Sequence, residues 1–393
     1  MTSSIAHATN FFVGTMHFLR VVVVLACGAA TLGEASPPPP TPAERVSARE
    51  LYLLYDVIQH EQVNKQRRAL MFYLHLAMRL KRTLVLPRPR LLRRRAGARG
   101  SQFEAEAEYM RWGELFNVSA LNKLHPAVEL EDFLQRRGGA AQIDVLTAID
   151  HKGCEPGGAA ETSFNGLTNV RVGRSQCDSS LQHNVAALGR MTEGAIAFSN
   201  SFDQLPFAAA LGLRPYVRFE QGVYDRAAAF VAQQFGGKPF LAIHWRRTDF
   251  LVARSTQPGV LQSAASVIRH ARRAIERHGL AGVYLATDSD DQEEMQEVSL
   301  ALVPVRYGPA VASHRPIDEV FAAALPAVKA DAANVEIAIC AMAARFLGTK
   351  TSSFTLAISE ERQSVFGHAA DTNQEMDELP AEKRAAAPSH DEL

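Results

Sequence analysis

Four apolar residues in a row, Phe240–Ile243, follow a Gly-Gly-Lys-Pro turn and run directly into His244, Arg246, Arg247 and Asp249. A run this short and this uniformly apolar reads as a strand buried on both faces. The rest of the second half repeats the theme. Val260–His278 is an amphipathic helix, Val283–Thr287 a strand, Ser289–Leu302 a helix with an acidic first turn, and Val303–Tyr307 a strand. Val335–Ala344 then reads as a helix, Phe346–Gly348 as a strand and Ser352–Arg362 as a helix. Strict alternation of strand and helix implies an α/β fold, with a parallel sheet covered on both faces. Ligands of such sheets sit beyond the carboxyl ends of the strands.

The first half opens in the same way. Leu51–Tyr55 reads as a strand, Asp56–Val63 as a loop, Asn64–Arg82 as a helix capped by Asn64, and Thr83–Leu86 as a second strand. Leu70, Tyr73, Leu74, Ala77 and Met78 line one side of that helix, so the unit is βαβ and its first loop opens at the carboxyl edge. His60, Glu61 and Asn64 sit there. Between Gly100 and Pro215 the pattern is weaker: Glu114–Leu134 reads as helix, loop and helix, and Gly153–Asn169 as a surface loop. Leu211–Arg218 is the passage into the second half. The expected architecture is two Rossmann-like domains, residues 46–215 and 216–368, facing a shared cleft.

Charge excludes some partners and the chain ends suggest a compartment. Lys+Arg and Asp+Glu both number 42, so bulk charge gives no reason to expect nucleic acid. The basic run Arg88–Arg99 and the acidic stretch from Asp371 read as solvated loop and tail. Residues 1–35 have the layout of a secretory signal: His17 and Arg20, an apolar VVVVLACGAA, then Gly33 and Ala35. An uncleaved anchor is the alternative. Residues 36–45 form a Pro-rich linker, and residues 369–393 an acidic tail ending in HDEL, an address read by the endoplasmic-reticulum (ER) retrieval receptor. A lumenal location suits the N-glycosylation acceptor sequence Asn117-Val118-Ser119. It also lets Cys154 and Cys177 pair, whereas Cys340 reads as a small buried hydrophobe.

Three groups of residues carry the chemistry. His244 and Arg246 aim an imidazole and a guanidinium at one crevice, and the guanidinium fork matches phosphate oxygens two at a time. The hydroxyl-rich turn Thr349–Ser353 opens a helix whose N-terminus favours an anion. Glu61, beside another helix N-terminus, is placed as a general base. Each group alone has a structural explanation as a cap or a satisfied histidine; two Rossmann-like halves, each aiming a loop at a shared cleft, point to a nucleotide-dependent transferase. No GxGxxG, Walker A, GxSxG or HExxH sequence is present, which disfavours dinucleotide, P-loop, serine-hydrolase and zinc-protease chemistry. Asp288-Ser289-Asp290 imitates a metal-binding Asp-x-Asp, but directly after a strand it reads better as a helix cap.

Taken together, YLLYDV (Tyr52–Val57), HEQVNKQRR (His60–Arg68), HWRRTDF (His244–Phe250), YLATD (Tyr284–Asp288) and FLGTKTSSFTLAISEER (Phe346–Arg362) resemble the GDP-fucose protein O-fucosyltransferases. The resemblance implies a GT-B type glycosyltransferase that inverts fucose onto Ser or Thr of folded secretory-pathway repeats. The Arg-Arg-x-Asp-Phe and I-x-E-E-R sequences favour thrombospondin type 1 repeats over EGF-like repeats. It further implies Glu61 as base and Arg246 as the catalytic cation. Contacts to GDP-fucose are expected from His60, Glu61, Asn64, His244, Arg246, Glu336, Ser353 and Phe354. No metal or cofactor beyond the donor substrate is expected. Trp245 stands where the family has Leu, Glu336 where it has Asp, and Gln62-Val63 where it has a Gly-aromatic pair. A non-catalytic ER lectin or chaperone of the same fold is the rival reading.

Overall fold

The computed structural model describes residues 50–57, 63–92, 107–139, 141–149, 164, 167, 170–201, 203–247, 250–289, 291–302, 305–307 and 329–377. All fall within one compact unit, Arg49–Leu393. The expected signal, linker and HDEL tetrapeptide lie outside the described residues. So do His60, Glu61, Cys154, Asp249 and Asp290. No helix among the described residues is long and apolar enough to cross a membrane.

The first half begins as the sequence suggests, with β1 (Tyr52–Val57), α1 (Val63–Leu80) and β2 (Thr83–Leu86) forming a parallel βαβ unit. An antiparallel pair follows, β3 (Arg90–Leu92) and β4 (Ala107–Tyr109). The chain continues through α2 (Val118–Asn122), β5 (Ala127–Glu129), α3 (Leu130–Arg136), β6 (Ala141–Ala148), β7 (Val170–Cys177), α4 (Val185–Gly189) and β8 (Ala195–Ser201). The six-stranded sheet has the order β5-β2-β1-β8-β6-β7, with parallel pairing throughout.

Helices α5 (Phe207–Leu213) and α6 (Gln221–Phe235) lead to β9 (Leu241–Trp245). Then come α7 (Phe250–Ala253), α8 (Ala264–His278), β10 (Val283–Thr287), α9 (Gln292–Ala301), β11 (Val305–Tyr307), α10 (Lys329–Met342), β12 (Arg345–Gly348), α11 (Ser353–Ser364) and β13 (Asn373–Glu375). The second sheet runs β11-β10-β9-β12-β13, again all parallel. Read by chain order within this half, that is 3-2-1-4-5, the doubly wound arrangement. Its order reverses between β9 and β12, and a crevice opens at such a switch point beyond the strand ends. The first sheet reverses similarly between β1 and β8.

Strand alternation divides the core. Leu53 and Tyr55 of β1 join a cluster with Leu70, Tyr73 and Leu74 of α1, while Tyr52 and Leu54 join Phe133 and Ile143 on the opposite face. The α1 cluster continues into the second half through Ala242, Tyr284, Phe346 and Ile358. A fully buried side chain such as Leu74 contributes about 1.5–3 kcal/mol relative to exposure, so the two sheets are joined by a continuous apolar layer.

Several expectations are corrected. Helix α1 begins at Val63, placing Asn64 inside its first turn and not at the cap. The region read as helix, loop and helix contains a strand, β5, between two short helices. The second sheet gains an edge strand, β13, from the stretch read as acidic tail, with Met376 fully buried behind it. Helix α9 is capped by Asp291, whose carboxylate accepts from the Glu293 and Glu294 N–H groups, and Asp288 lies outside that cap.

Candidate active site

The crevice at the β9/β12 switch point is built from three chain segments. His244 is the fourth residue of β9 and buried; Trp245, one position on, points to the other face of the sheet. There its ring packs with Leu241 and Ile243, and its Nε1–H donates to the Gln262 carbonyl at 2.9 Å. The unexpected Trp is therefore a core residue of the outer face, since neighbours in a strand alternate sides. Arg246 follows at the strand's end, half-buried.

The chain after β12 meets the chain after β9 through one hydroxyl. Thr349 Oγ1 donates to the His244 carbonyl at 3.0 Å and accepts from the Arg246 N–H at 2.9 Å. His244 Nδ1 is paired with Thr355 Oγ1 at 2.8 Å, and the Phe354 ring lies against the imidazole with centroids 4.8 Å apart. Burial, with the Arg246 charge adding to it, pushes His244 down to about 3. Its ring is therefore neutral at neutral pH and serves as a hydrogen-bonding group.

The turn into α11 is locally costly. Thr351 takes φ 60°, a left-handed conformation unusual for a β-branched residue and worth roughly 1–3 kcal/mol of strain. Ser352 caps the helix, its side chain accepting from the Phe354 N–H at 3.3 Å. Gly348 lets β12 approach α11: a Cβ there would clash with Thr355 Cγ2. Ser353 and Phe354 thus occupy the first turn of α11, with the Phe354 ring beside His244.

Arg246 and Arg247 are held from the β10 side. The register pairs Thr287 with Trp245, and Thr287 Oγ1 donates to the Trp245 carbonyl at 2.7 Å. Asp288 then accepts the Arg247 N–H at 2.7 Å and pairs with Arg246 Nε at 3.2 Å. The Arg247 side chain turns away onto Glu294, with Nε to Oε2 at 2.9 Å.

Other candidates are placed as follows. Asn64 is half-buried in the first turn of α1, and its Oδ1 has no hydrogen-bond partner among the described residues. Glu336 is buried on α10, and its charge reaches Tyr284 and Cys340, whose titrations burial and this carboxylate push up. Asn117 is exposed and caps α2, accepting from the Ala120 N–H at 2.8 Å. Cys177 is disulfide-bonded and Cys340 free and buried; Cys154 is outside the described residues.

A buried charged joint beneath the crevice went unread in the sequence. Arg67 of α1 pairs with Glu360 of α11 at 2.7 Å, both side chains fully buried, and Arg68 adds a contact to Glu360 at 3.5 Å. The next residue, Glu361, pairs with Arg214 and accepts from Tyr224 Oη at 2.5 Å. Arg362 completes the run by donating to the carbonyls of Cys340 and Ala343 at the end of α10. The available signal was two adjacent carboxylates, Glu360 and Glu361, following the apolar Leu356-Ala357-Ile358 of the same helix.

The comparisons with known proteins bear on this geometry. The family model for GDP-fucose protein O-fucosyltransferase matches residues 52–365. GDP-fucose protein O-fucosyltransferase 2 of Drosophila melanogaster is 24% identical over 420 aligned positions, covering 86% of this chain and 82% of the relative. The Caenorhabditis elegans protein of the same name is 30% identical over 129 residues, covering 33% of this chain and only 27% of that relative. A crystal structure of POFUT1 in complex with GDP-fucose superposes with a TM-score of 0.61 at 15% identity, over 84% of this chain and 98% of that one. This likeness shows the fold, GT-B with two Rossmann-like halves.

Proposed function

The chain belongs to the GDP-fucose protein O-fucosyltransferase family, and from that premise we propose that it transfers fucose from GDP-fucose to Ser or Thr hydroxyls of folded protein repeats. The observation that carries the reading is the meeting of Arg246, neutral His244 and the α11 N-terminus at one switch point. Such a site suits a diphosphate: a guanidinium fork on one side and helical N–H groups on the other.

The reaction that the family resemblance implies suits that placement. The acceptor oxygen approaches the anomeric carbon on the face opposite GDP, and Glu61 takes its proton as the bond forms. Positive charge grows on the sugar as the bond to the phosphate oxygen lengthens. Negative charge grows on the β-phosphate, where Arg246 and the α11 N-terminus stabilise it. His244 contributes as a neutral ring held by Thr355, and Phe354 supplies an apolar wall. With the leaving group met by a cation and a helix end, the step needs no metal.

Thrombospondin type 1 repeats are the preferred acceptor, on the Arg-Arg-x-Asp-Phe and I-x-E-E-R sequences that the family resemblance ties to that branch. The test offers GDP-fucose with folded thrombospondin repeats or folded EGF-like repeats and follows the mass of the acceptor peptide. Gain of one deoxyhexose on thrombospondin repeats, retained in EDTA, is expected. Transfer to EGF-like repeats alone would reassign the acceptor, and loss in EDTA restored by manganese would make Asp288 and Asp290 metal ligands. No transfer to either repeat, with GDP binding intact, would favour the lectin-like reading.

The signal-like N-terminus and HDEL support placement in the ER lumen, with the retrieval receptor as partner. Deleting His390–Leu393 should send the protein on toward the Golgi and medium, read by immunoblot of secreted fractions. Unchanged retention would mean that an anchor or a bound partner holds it.

A further inference from the structure

Asp288 sits where two independent observations converge. The parallel register places it beside Arg246 at the carboxyl edge, one residue beyond the Thr287–Trp245 pair. Its two oxygens then divide the work. Oδ1 accepts the Arg247 main-chain N–H at 2.7 Å and so fixes the backbone leaving β9. Oδ2 lies 3.2 Å from Arg246 Nε and so fixes the plane of that guanidinium. Helix α9, which this carboxylate would cap if its role were local, is capped by Asp291 instead. Both side chains are about three-quarters buried, at 23% and 25% exposure. At that depth a charge pair is attenuated less than at the surface.

We propose that Asp288 is the positioning residue of the diphosphate site, orienting Arg246 through Nε and offsetting its charge before the donor arrives. This rests on the reading of Arg246 as the phosphate cation. A carboxylate at Nε orients the guanidinium fork, which is the preorganisation that a developing charge on the leaving phosphate rewards. The same carboxylate faces the incoming diphosphate as a like charge, so it contributes little to ground-state affinity and more to turnover. The Thr349 hydroxyl does the equivalent work from the β12 side by accepting the Arg246 N–H.

The test is a double-mutant cycle in the full chain. Asp288→Asn keeps an oxygen for the Arg247 N–H but removes the charge that holds Arg246. In the parent background it should lower kcat by about tenfold or more, leave GDP affinity within about threefold, and leave thermal unfolding unchanged. In the Arg246→Ala background Asp288 keeps its charge beside the phosphates without the Arg246 cation to offset it. There Asp288→Asn should recover GDP affinity several-fold, measured by titration calorimetry, and recover no transfer. Asp288→Glu should restore part of the lost kcat. A kcat within about twofold of the parent in Asp288→Asn overturns the orienting role. An unchanged GDP affinity on adding Asp288→Asn to Arg246→Ala overturns the pairing at the diphosphate. A parent that transfers fucose to neither repeat defeats the functional reading, yet the GDP measurements still decide whether Asp288 and Arg246 share one anion site.

Discussion

Arg246→Ala and Glu61→Ala should both lose fucose transfer, by on the order of a hundred- to a thousand-fold for the cation and roughly a hundred- to ten-thousand-fold for the base, yet differ in GDP binding. Arg246 is the cation at the β9 end, fixed by Thr349 and Asp288. His244 cannot replace it, because burial keeps that imidazole neutral. Nor is Lys350 placed to do so, being paired at 2.7 Å with Asp377 behind the turn. In the proposed site, losing Arg246 removes a charge-assisted bond made to the bound donor as well as to the transition state, so GDP should weaken too. In the proposed mechanism Glu61 acts on the acceptor's proton, and its removal should leave GDP affinity within a few-fold. Calorimetry with GDP and a transfer assay on folded repeats separate the two. If Glu61→Ala transfers at near the parent rate, another group takes the proton and the base assignment fails. If Arg246→Ala keeps both GDP affinity and turnover, the phosphate site is elsewhere.

What could be read from the sequence follows from where the pattern is strongest. Val283–Thr287 was placed to the residue and β9 nearly so, because strands buried on both faces are unbroken apolar runs. The edge strands β7 and β13 were missed for the opposite reason. β7 reads VRVGRSQC with most side chains exposed, so it lacks both an apolar run and a clean alternation. β13 reads NQE, and its pairing comes from backbone groups offered by β12, which no side-chain pattern reports. The site divides similarly. His244 and Arg246 could be put at a strand end, and Ser353 and Phe354 at a helix start, because local sequence fixes such positions. Asp288 was misassigned as a cap, since only the β9–β10 register shows that its carboxylate meets Arg246. Trp245 looked like a departure inside the site until alternation put it on the other face. The Arg67–Glu360 pair joins positions 293 residues apart, a distance over which sequence offers no geometry.

That pair supplies the largest expected effect on stability. Glu360→Ala should destabilise the protein by about 3–5 kcal/mol, because it leaves a fully buried Arg67 without its counter-ion. Burial and the neighbouring Arg214 push the Arg67 guanidinium down to about 10, with Glu360 and Glu361 opposing them. Three buried arginines meet two buried carboxylates at this joint, so removing one carboxylate raises an existing excess of positive charge. Glu360→Gln, which keeps shape and one acceptor, should cost less. Replacing both partners, as in Arg67→Met with Glu360→Leu, should cost less than Glu360→Ala alone, since apolar packing then substitutes for a compensated pair. Denaturant unfolding read by tryptophan fluorescence ranks the four proteins. The joint ties α1, whose first turn carries Asn64, to α11, whose first turn carries Ser353 and Phe354. A loosened joint should therefore also reduce transfer in the folded protein at low temperature, while Arg246 and its partners remain. If Glu360→Ala unfolds at the same denaturant concentration as the parent, solvent reaches Arg67 and the joint is not a buried tie between the two halves.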